Sequence, residues 1–249
     1  MLSKARIKKI QQLHQKKYRE QERLFIAEGP KIVNDLLRSK FGVKEVFETS
    51  EFSKVSAGYP VTAVTEKELS SLSALSTPNQ VLAIFDIPET KPDIGSMKKE
   101  LILALDDIRD PGNLGTILRV ADWFGITHVL CSHTCVDVFN PKVVQATMGS
   151  IARVNVHYVS LEDVLNRFTP VYAAVMDGKN IYSEELSAKG TILIGNESRG
   201  VSTNLLKHVT HRLTIPSFPK AGTLEKNEGA DSLNAAIAAA VICSEFRRR

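Results

Sequence analysis

Short apolar runs bounded by polar turns recur along this chain, and their period changes as the chain advances. Over residues 4–23, Ile7, Ile10 and Leu13 fall at helical spacing, a narrow apolar stripe on an otherwise polar helix. A second helix is expected from Pro30 to Arg38, because proline suits a first helical turn. Strand-like runs follow at 43–47, 61–64 and 81–85, with a helical stretch at 66–75 between the last two. Together these predict a small α/β domain. The stretch IPETKPDIGSMKK, residues 87–99, mixes two prolines and a glycine with charge, the composition of a linker. It places the domains at 1–95 and 96–249.

Beyond it the pattern changes. LILALDD (101–107), HVLCS (128–132), VYAAV (171–175), TILIGN (191–196) and HRLTIP (211–216) are short apolar runs, with helical segments between them. Such a pattern predicts a mostly parallel sheet with helices on both faces. Ligands of such sheets gather at the carboxyl ends of the strands, so the loops after the strands are where chemistry is expected.

Composition adds little: 43% hydrophobic and 24% charged residues describe an ordinary globular chain. No apolar run approaches the roughly 18 residues of a membrane span. The opening MLSKARIKKIQQLHQKK is polar and basic and does not resemble a secretory signal. Three cysteines (Cys131, Cys135, Cys243) make no disulfide framework, so a reducing cytoplasm is expected. Charge adds more. Residues 1–40 hold eleven Lys or Arg against four acids, whereas the whole chain carries only +4. A basic end on a near-neutral body suits a polyanion, and Lys8, Lys9, Lys16, Lys17 and Arg19 are the candidate contacts with it. A solvated amphipathic helix would show the same charges.

Four loops stand out. The first, in LDDIRDPGNLGTILRVADWFGI (105–126), packs Asp107, Arg109, Asp110 and Asn113 into one turn, with Arg119 soon after. Asn113 is placed to cap a helix from Leu114 to about Phe124, and Arg119 lies opposite its apolar face. The second, NPKVVQATMGS (140–150), reads as a helix begun by Asn140-Pro141 and ended by Gly149. The third, TILIGNESRGVS (191–202), runs from a buried strand through Gly195, which allows close approach to the backbone, to Glu197, an acceptor for hydroxyl or amine. The fourth runs from Ile215-Pro216 to Asp231-Ser232-Leu233-Asn234 and an alanine-rich helix. Each alone is explained by turn and cap chemistry. There is no GxGxxG after a strand and no GxxxxGK[ST] loop. Cys131, His133 and Cys135 alternate along a strand end, a poor tetrahedral set, so no metal is expected.

In order and together, LDDIRDPGNLGTILRVADWFGI, NPKVVQATMGS, ILIGNESRGVS and IP…DSLNAAIAAAVICSEF resemble the SpoU branch of the SPOUT methyltransferases, which methylate RNA ribose 2′-hydroxyls. The N-terminal part resembles, more weakly, the substrate-binding domain that precedes the catalytic domain in many members. The resemblance implies an α/β domain whose C-terminal chain threads a trefoil knot, an exception to the rule against knots. It implies a homodimer and S-adenosylmethionine as methyl donor, with ribosomal RNA the expected substrate and transfer RNA the alternative. It assigns Asn113, Arg119, Glu197, Ser232 and Asn234 to catalysis, and Gly195, Asn196, Ile215, Leu233, Thr147 and Gly149 to the cofactor. In such enzymes the arginine is often assigned as base; guanidinium rarely loses its proton, so Arg119 is equally a phosphate clamp. Two departures exist. Residues 217–230 make a longer spacer than the family commonly has, and Asp231 stands where glutamate is usual. A catalytically silent RNA-binding relative, or an unrelated α/β enzyme acting on a small nucleotide, are the competing readings.

Overall fold

A computed structural model of the chain describes residues 2–50, 52, 58–89, 91–218 and 232–248. These form two compact units, Met1–Thr90 with Asp137–Arg153, and Lys91–Val136 with Val154–Arg249. The segment 137–153, which lies within the stretch read from the sequence as the second domain, is therefore part of the first unit.

The first unit holds α1 (Lys4–Gln12), α2 (Lys16–Glu22), β1 (Leu24–Glu28), α3 (Pro30–Leu37), β2 (Val43–Glu48), β3 (Val61–Ala63), α4 (Glu66–Leu72) and β4 (Val81–Asp86). Its sheet runs in the order β1-β4-β2-β3. Ile10, Leu13, Ile26, Phe47, Leu69, Leu82 and their neighbours form one core. The single helix expected over residues 4–23 is two helices. The break at Leu13 is held because Leu13 sinks into that core and Arg19 Nη1 donates to its carbonyl at 3.0 Å. The strand β1 has no alternation to announce it: Phe25, Ile26, Ala27 and Glu28 are all buried. Phe139, from the returning segment, packs its ring 4.7 Å from that of Phe25.

The second unit opens with α5 (Ile94–Met97), whose Asp93 cap and fully buried Met97 build the end of the expected linker into the fold. Then come β5 (Leu101–Leu105), α6 (Pro111–Trp123) and β6 (His128–Cys131). The helix α7 (Pro141–Thr147) belongs to the first unit. The second unit resumes with β7 (Asn155–Tyr158), α8 (Leu161–Leu165), β8 (Val171–Asn180), β9 (Gly190–Ile194), α9 (Thr203–Leu206), β10 (His211–Thr214) and α10 (Ala235–Arg248). The six-stranded sheet is parallel throughout, in the order β10-β8-β9-β5-β6-β7.

Both faces of this sheet are covered. Ile102 and Ala104 of β5 and Val171 and Ala173 of β8 pack with α8 and α9 residues. The alternate positions point the other way, and there Tyr172 meets Phe246 of α10 edge-on at 4.9 Å. That two-sided burial is why LILAL reads as a continuous apolar run. α6 and α10 pack together on the same unit, and Arg247 fastens them: its Nε donates to the Phe124 carbonyl at 2.8 Å and its Nη2 to that of Gly125 at 3.2 Å. Among the described residues no helix is long and apolar enough to cross a membrane.

Candidate active site

The helix α6 begins three residues earlier than the sequence suggests. Its cap is Asp110, whose carboxylate accepts the Asn113 backbone N–H at 2.8 Å, and Pro111 takes the first helical position. This correction matters, because it releases the Asn113 side chain from capping. Asn113 Nδ2 instead donates to Glu197 Oε1 at 3.0 Å, across from the loop after β9.

A third stretch joins them. Asn234 caps α10, its Oδ1 accepting the N–H groups of Ala236 and Ile237 at 3.0 and 3.2 Å. Its Nδ2 donates to Glu197 Oε1 at 2.6 Å and to Asn113 Oδ1 at 2.8 Å. The Ala235 N–H also donates to Glu197 Oε1, at 3.0 Å. One carboxylate oxygen thus gathers donors from loops that are 84 and 37 residues away in sequence. Among the described residues Glu197 Oε2 makes no hydrogen bond, so the node keeps an open acceptor.

The loop after β9 is shaped by its own backbone. A β-carbon on Gly195 would overlap the carbonyl of Gly200 and the nitrogen of Val201. The close approach that glycine permits here is therefore made by the chain itself. Asn196 N–H and carbonyl pair with Gly200, its Nδ2 donates to the Asp107 carbonyl at 2.9 Å, and its Oδ1 accepts from Ser198 N–H at 2.9 Å.

Beside this loop, at the carboxyl ends of β5 and β9, lies an open pocket of about 200 Å³, lined by Asp106, Asp107, Arg109, Asn196, Arg199 and Ser202 among others. Asp107 holds the left-handed conformation, φ +57°.

The SpoU rRNA Methylase family model matches residues 100–244, and an MRM3-like substrate binding domain model matches residues 4–83. The chain belongs to the SpoU family. It is 30% identical to the 23S rRNA (guanosine(2553)-2′-O)-methyltransferase RlmP of Bacillus subtilis, over 97% of this chain and 96% of that one. Among solved structures, a putative RNA methyltransferase of the TrmH family from Porphyromonas gingivalis is 39% identical with a TM-score of 0.88, covering 100% of this chain and 99% of the other. An AdoMet-bound rRNA methyltransferase from Sinorhizobium meliloti is 31% identical with a TM-score of 0.86, covering 100% and 97%.

The SpoU motifs fall unevenly on the structure. Asn113, Glu197 and Asn234 come together in the node. Arg119 is exposed on α6 and has no hydrogen bond or ion pair among the described residues. Ser232 and Leu233 are exposed immediately before α10, and Ile215 is half-buried just past β10. Thr147 and Gly149 are elsewhere, in the first unit. Thr147 is fully buried with its hydroxyl on the Val144 carbonyl at 2.7 Å, and a β-carbon on Gly149 (φ +96°) would overlap the Asp35 carboxylate. Both residues thus have a local packing reason. Of the long spacer, residues 219–231 lie outside the described residues, Asp231 with them.

The basic end is also corrected. Lys8, Lys9, Lys16 and Lys17 are exposed. Arg19 is buried, its Nε and Nη2 donating to Asp137 Oδ2 at 3.0 and 2.5 Å, and is not a surface RNA contact. Its partner lies 118 residues away, beyond any local signal. The sequence singled out Asp107 and Arg109 but not their meeting with Arg199. The density of charge in one turn was the signal.

Proposed function

We propose that this RNA methyltransferase methylates a ribose 2′-hydroxyl of ribosomal RNA at the Asn113–Glu197–Asn234 node. Its methyl donor is S-adenosylmethionine. The convergence of three family motifs on one carboxylate oxygen carries this reading. A silent relative would have no need to keep an open acceptor, Glu197 Oε2, beside two fixed amides.

The residues past β9 and β10 suit the donor. Ile215 and Leu233 offer apolar surface, and the tight backbone around Gly195 offers main-chain groups rather than charge, which fits an adenine and a cationic sulfur. When bound, the donor supplies an electrophilic methyl on a good leaving group. The chain's own work is then positioning and proton handling. Glu197 Oε1 locks Asn113 and Asn234, so that Oε2 is held in one place to accept the 2′-hydroxyl proton. Arg119 holds the adjacent phosphate through its planar fork. Asn196 acts by shaping its loop, since its side chain is spent on Asp107 and on the turn. Ser232 hydroxyl supplements the node.

The same reading includes a substrate-binding domain at 1–95, a catalytic domain at 96–249 and a knotted C-terminal chain. It includes a homodimer, supported by α6 and α10, which leave Trp123 85% and Ile237 52% exposed. Sedimentation should give twice the chain mass. Exposed Lys8, Lys9, Lys16 and Lys17 add sequence-independent attraction to RNA, weakening as salt rises.

The test is to map ribose methylation in ribosomal RNA from cells with and without the gene. One 2′-O-methyl mark should vanish on deletion and return with the wild-type chain, not with Arg119→Ala.

A further inference from the structure

Asp107 does more than fill a turn. It holds a left-handed backbone conformation that few residues with a side chain adopt, although Asp tolerates it better than most. All its polar groups are engaged. Its N–H donates to Ser132 Oγ at 3.0 Å, its carbonyl accepts from Asn196, and its Oδ1 accepts Arg109 Nε at 2.7 Å. Its Oδ2 lies 3.7 Å from Arg199 Nη1. Asp106 beside it is buried, with Oδ2 on the Ser202 N–H at 2.8 Å.

The two arginines are the opposite case. Their side chains are 58% and 71% exposed, and Asp107 is the only ion-pair partner of either among the described residues. Both line the open pocket, and among the described residues Arg109 Nε makes their only side-chain hydrogen bond. Exposed ion pairs of this kind contribute little to stability, so stability does not account for an unusual backbone spent on orienting them. Bracing Arg109 through Nε leaves its two terminal nitrogens as a free fork, the geometry that grips a phosphate with two parallel bonds. Two aspartates offset the two arginines in formal charge. A pocket with balanced charge and surplus donors suits a singly charged phosphodiester.

We propose that Arg109 and Arg199, braced by Asp107, grip one backbone phosphate of the RNA strand beside the nucleotide being methylated. The placement follows from the chain: Arg109 stands four residues before Asn113, and Arg199 two residues after Glu197, so both come from the stretches that supply the node. Arg109 and Arg199 are binding residues and Asp107 is a positioning residue. The inference rests on the chain acting on RNA.

The experiment titrates the full chain with poly(U) across a salt series, for wild type, Arg109→Ala, Arg199→Ala, the double variant and Asp107→Asn. Cofactor affinity is measured by calorimetry on the same samples. The double variant should flatten the slope of log affinity against log salt by about 0.7, one phosphate on a single strand. Each single variant should flatten it by less than that, because the remaining arginine still faces the same phosphate. Arg109→Lys, which keeps the charge and loses the fork, should weaken binding too. Asp107→Asn keeps a side chain that tolerates the left-handed backbone, and should raise KM for ribosomal RNA while kcat and cofactor affinity hold. A double variant with an unchanged slope, or with one flattened by about 1.4, the loss of two phosphates, overturns the proposal. So does a wild type that binds cofactor but not poly(U). Absence of cofactor binding would instead sink the methyltransferase reading, and the slopes would still decide the phosphate site.

Discussion

Glu197 carries two duties on two oxygens, and substitutions should separate them. Oε1 takes three hydrogen bonds from Asn113, Asn234 and the start of α10, while Oε2 is open. Glu197→Gln keeps an acceptor for the lattice and removes the proton acceptor. The fold should survive, and kcat should fall on the order of 10²-fold or more in a single-turnover assay. Glu197→Ala strands two amides and a helix N–H, and should also lower stability by about 1–3 kcal/mol in urea unfolding. Arg119 is the contrasting residue. It is exposed with no described partner, so Arg119→Lys should leave the melting temperature unchanged while activity drops at least roughly tenfold, because an ammonium cannot replace a planar fork. A lysine variant with wild-type turnover would remove Arg119 from the mechanism. The charge density in residues 107–119 drew attention to the loop in the sequence, and its order with the three other motifs made it a site. The division of labour within it was not legible, because Asp110 and Asn113 compete for the same cap, and only the helix start decides between them.

At the scale of elements, α10 is positioned from both ends. Asn234 and Glu197 hold its start, and Arg247 ties its last turn to the end of α6. Between them, buried Ala235, Ala236 and Ala239 keep the helix on its neighbours. Arg247→Ala should cost about 1 kcal/mol by equilibrium unfolding, since it removes a charged donor from exposed helix-end carbonyls. Ala239→Leu should cost about 1–3 kcal/mol by overpacking a position with no exposure. If α10 positioning serves the node, both variants should lower activity by more than their loss of stability explains at low temperature. Most strands and helices were legible because burial on one or two faces leaves its period in the residues. β1 and β7 were not: β1 is buried along almost its whole length without alternation, and β7 is only four residues long. The helix break at Leu13 needed a partner, Arg19, whose role depends on contacts far along the chain.

At the scale of the molecule, the basic N-terminal region divides into a solvent-facing part and a structural part. Buried Arg19 and half-buried Asp137 form an ion pair that joins the chain's beginning to the segment 137–153 within one unit. Arg19→Ala removes that pair and the hydrogen bond to the Leu13 carbonyl and should destabilise that unit by about 1–3 kcal/mol, whereas Lys16→Ala and Lys17→Ala should change stability little and flatten the salt dependence of RNA binding. Charge counting along the sequence cannot make that distinction, because a surface cation and a buried one are written with the same residue. The return of 137–153 to the first unit was equally hidden, since local patterning identifies a helix there without saying which core it joins. The order of the four motifs was visible throughout, and it pointed to the family before any contact was known. The account as a whole is tested most directly by incubating the chain with isotopically labelled S-adenosylmethionine and ribosomal RNA from cells lacking the gene, then digesting to nucleosides and locating the label by mass spectrometry. The account predicts label on the ribose 2′-oxygen of a single nucleotide, lost with Glu197→Gln; label on a base, or no transfer by a chain that binds the donor, would contradict it.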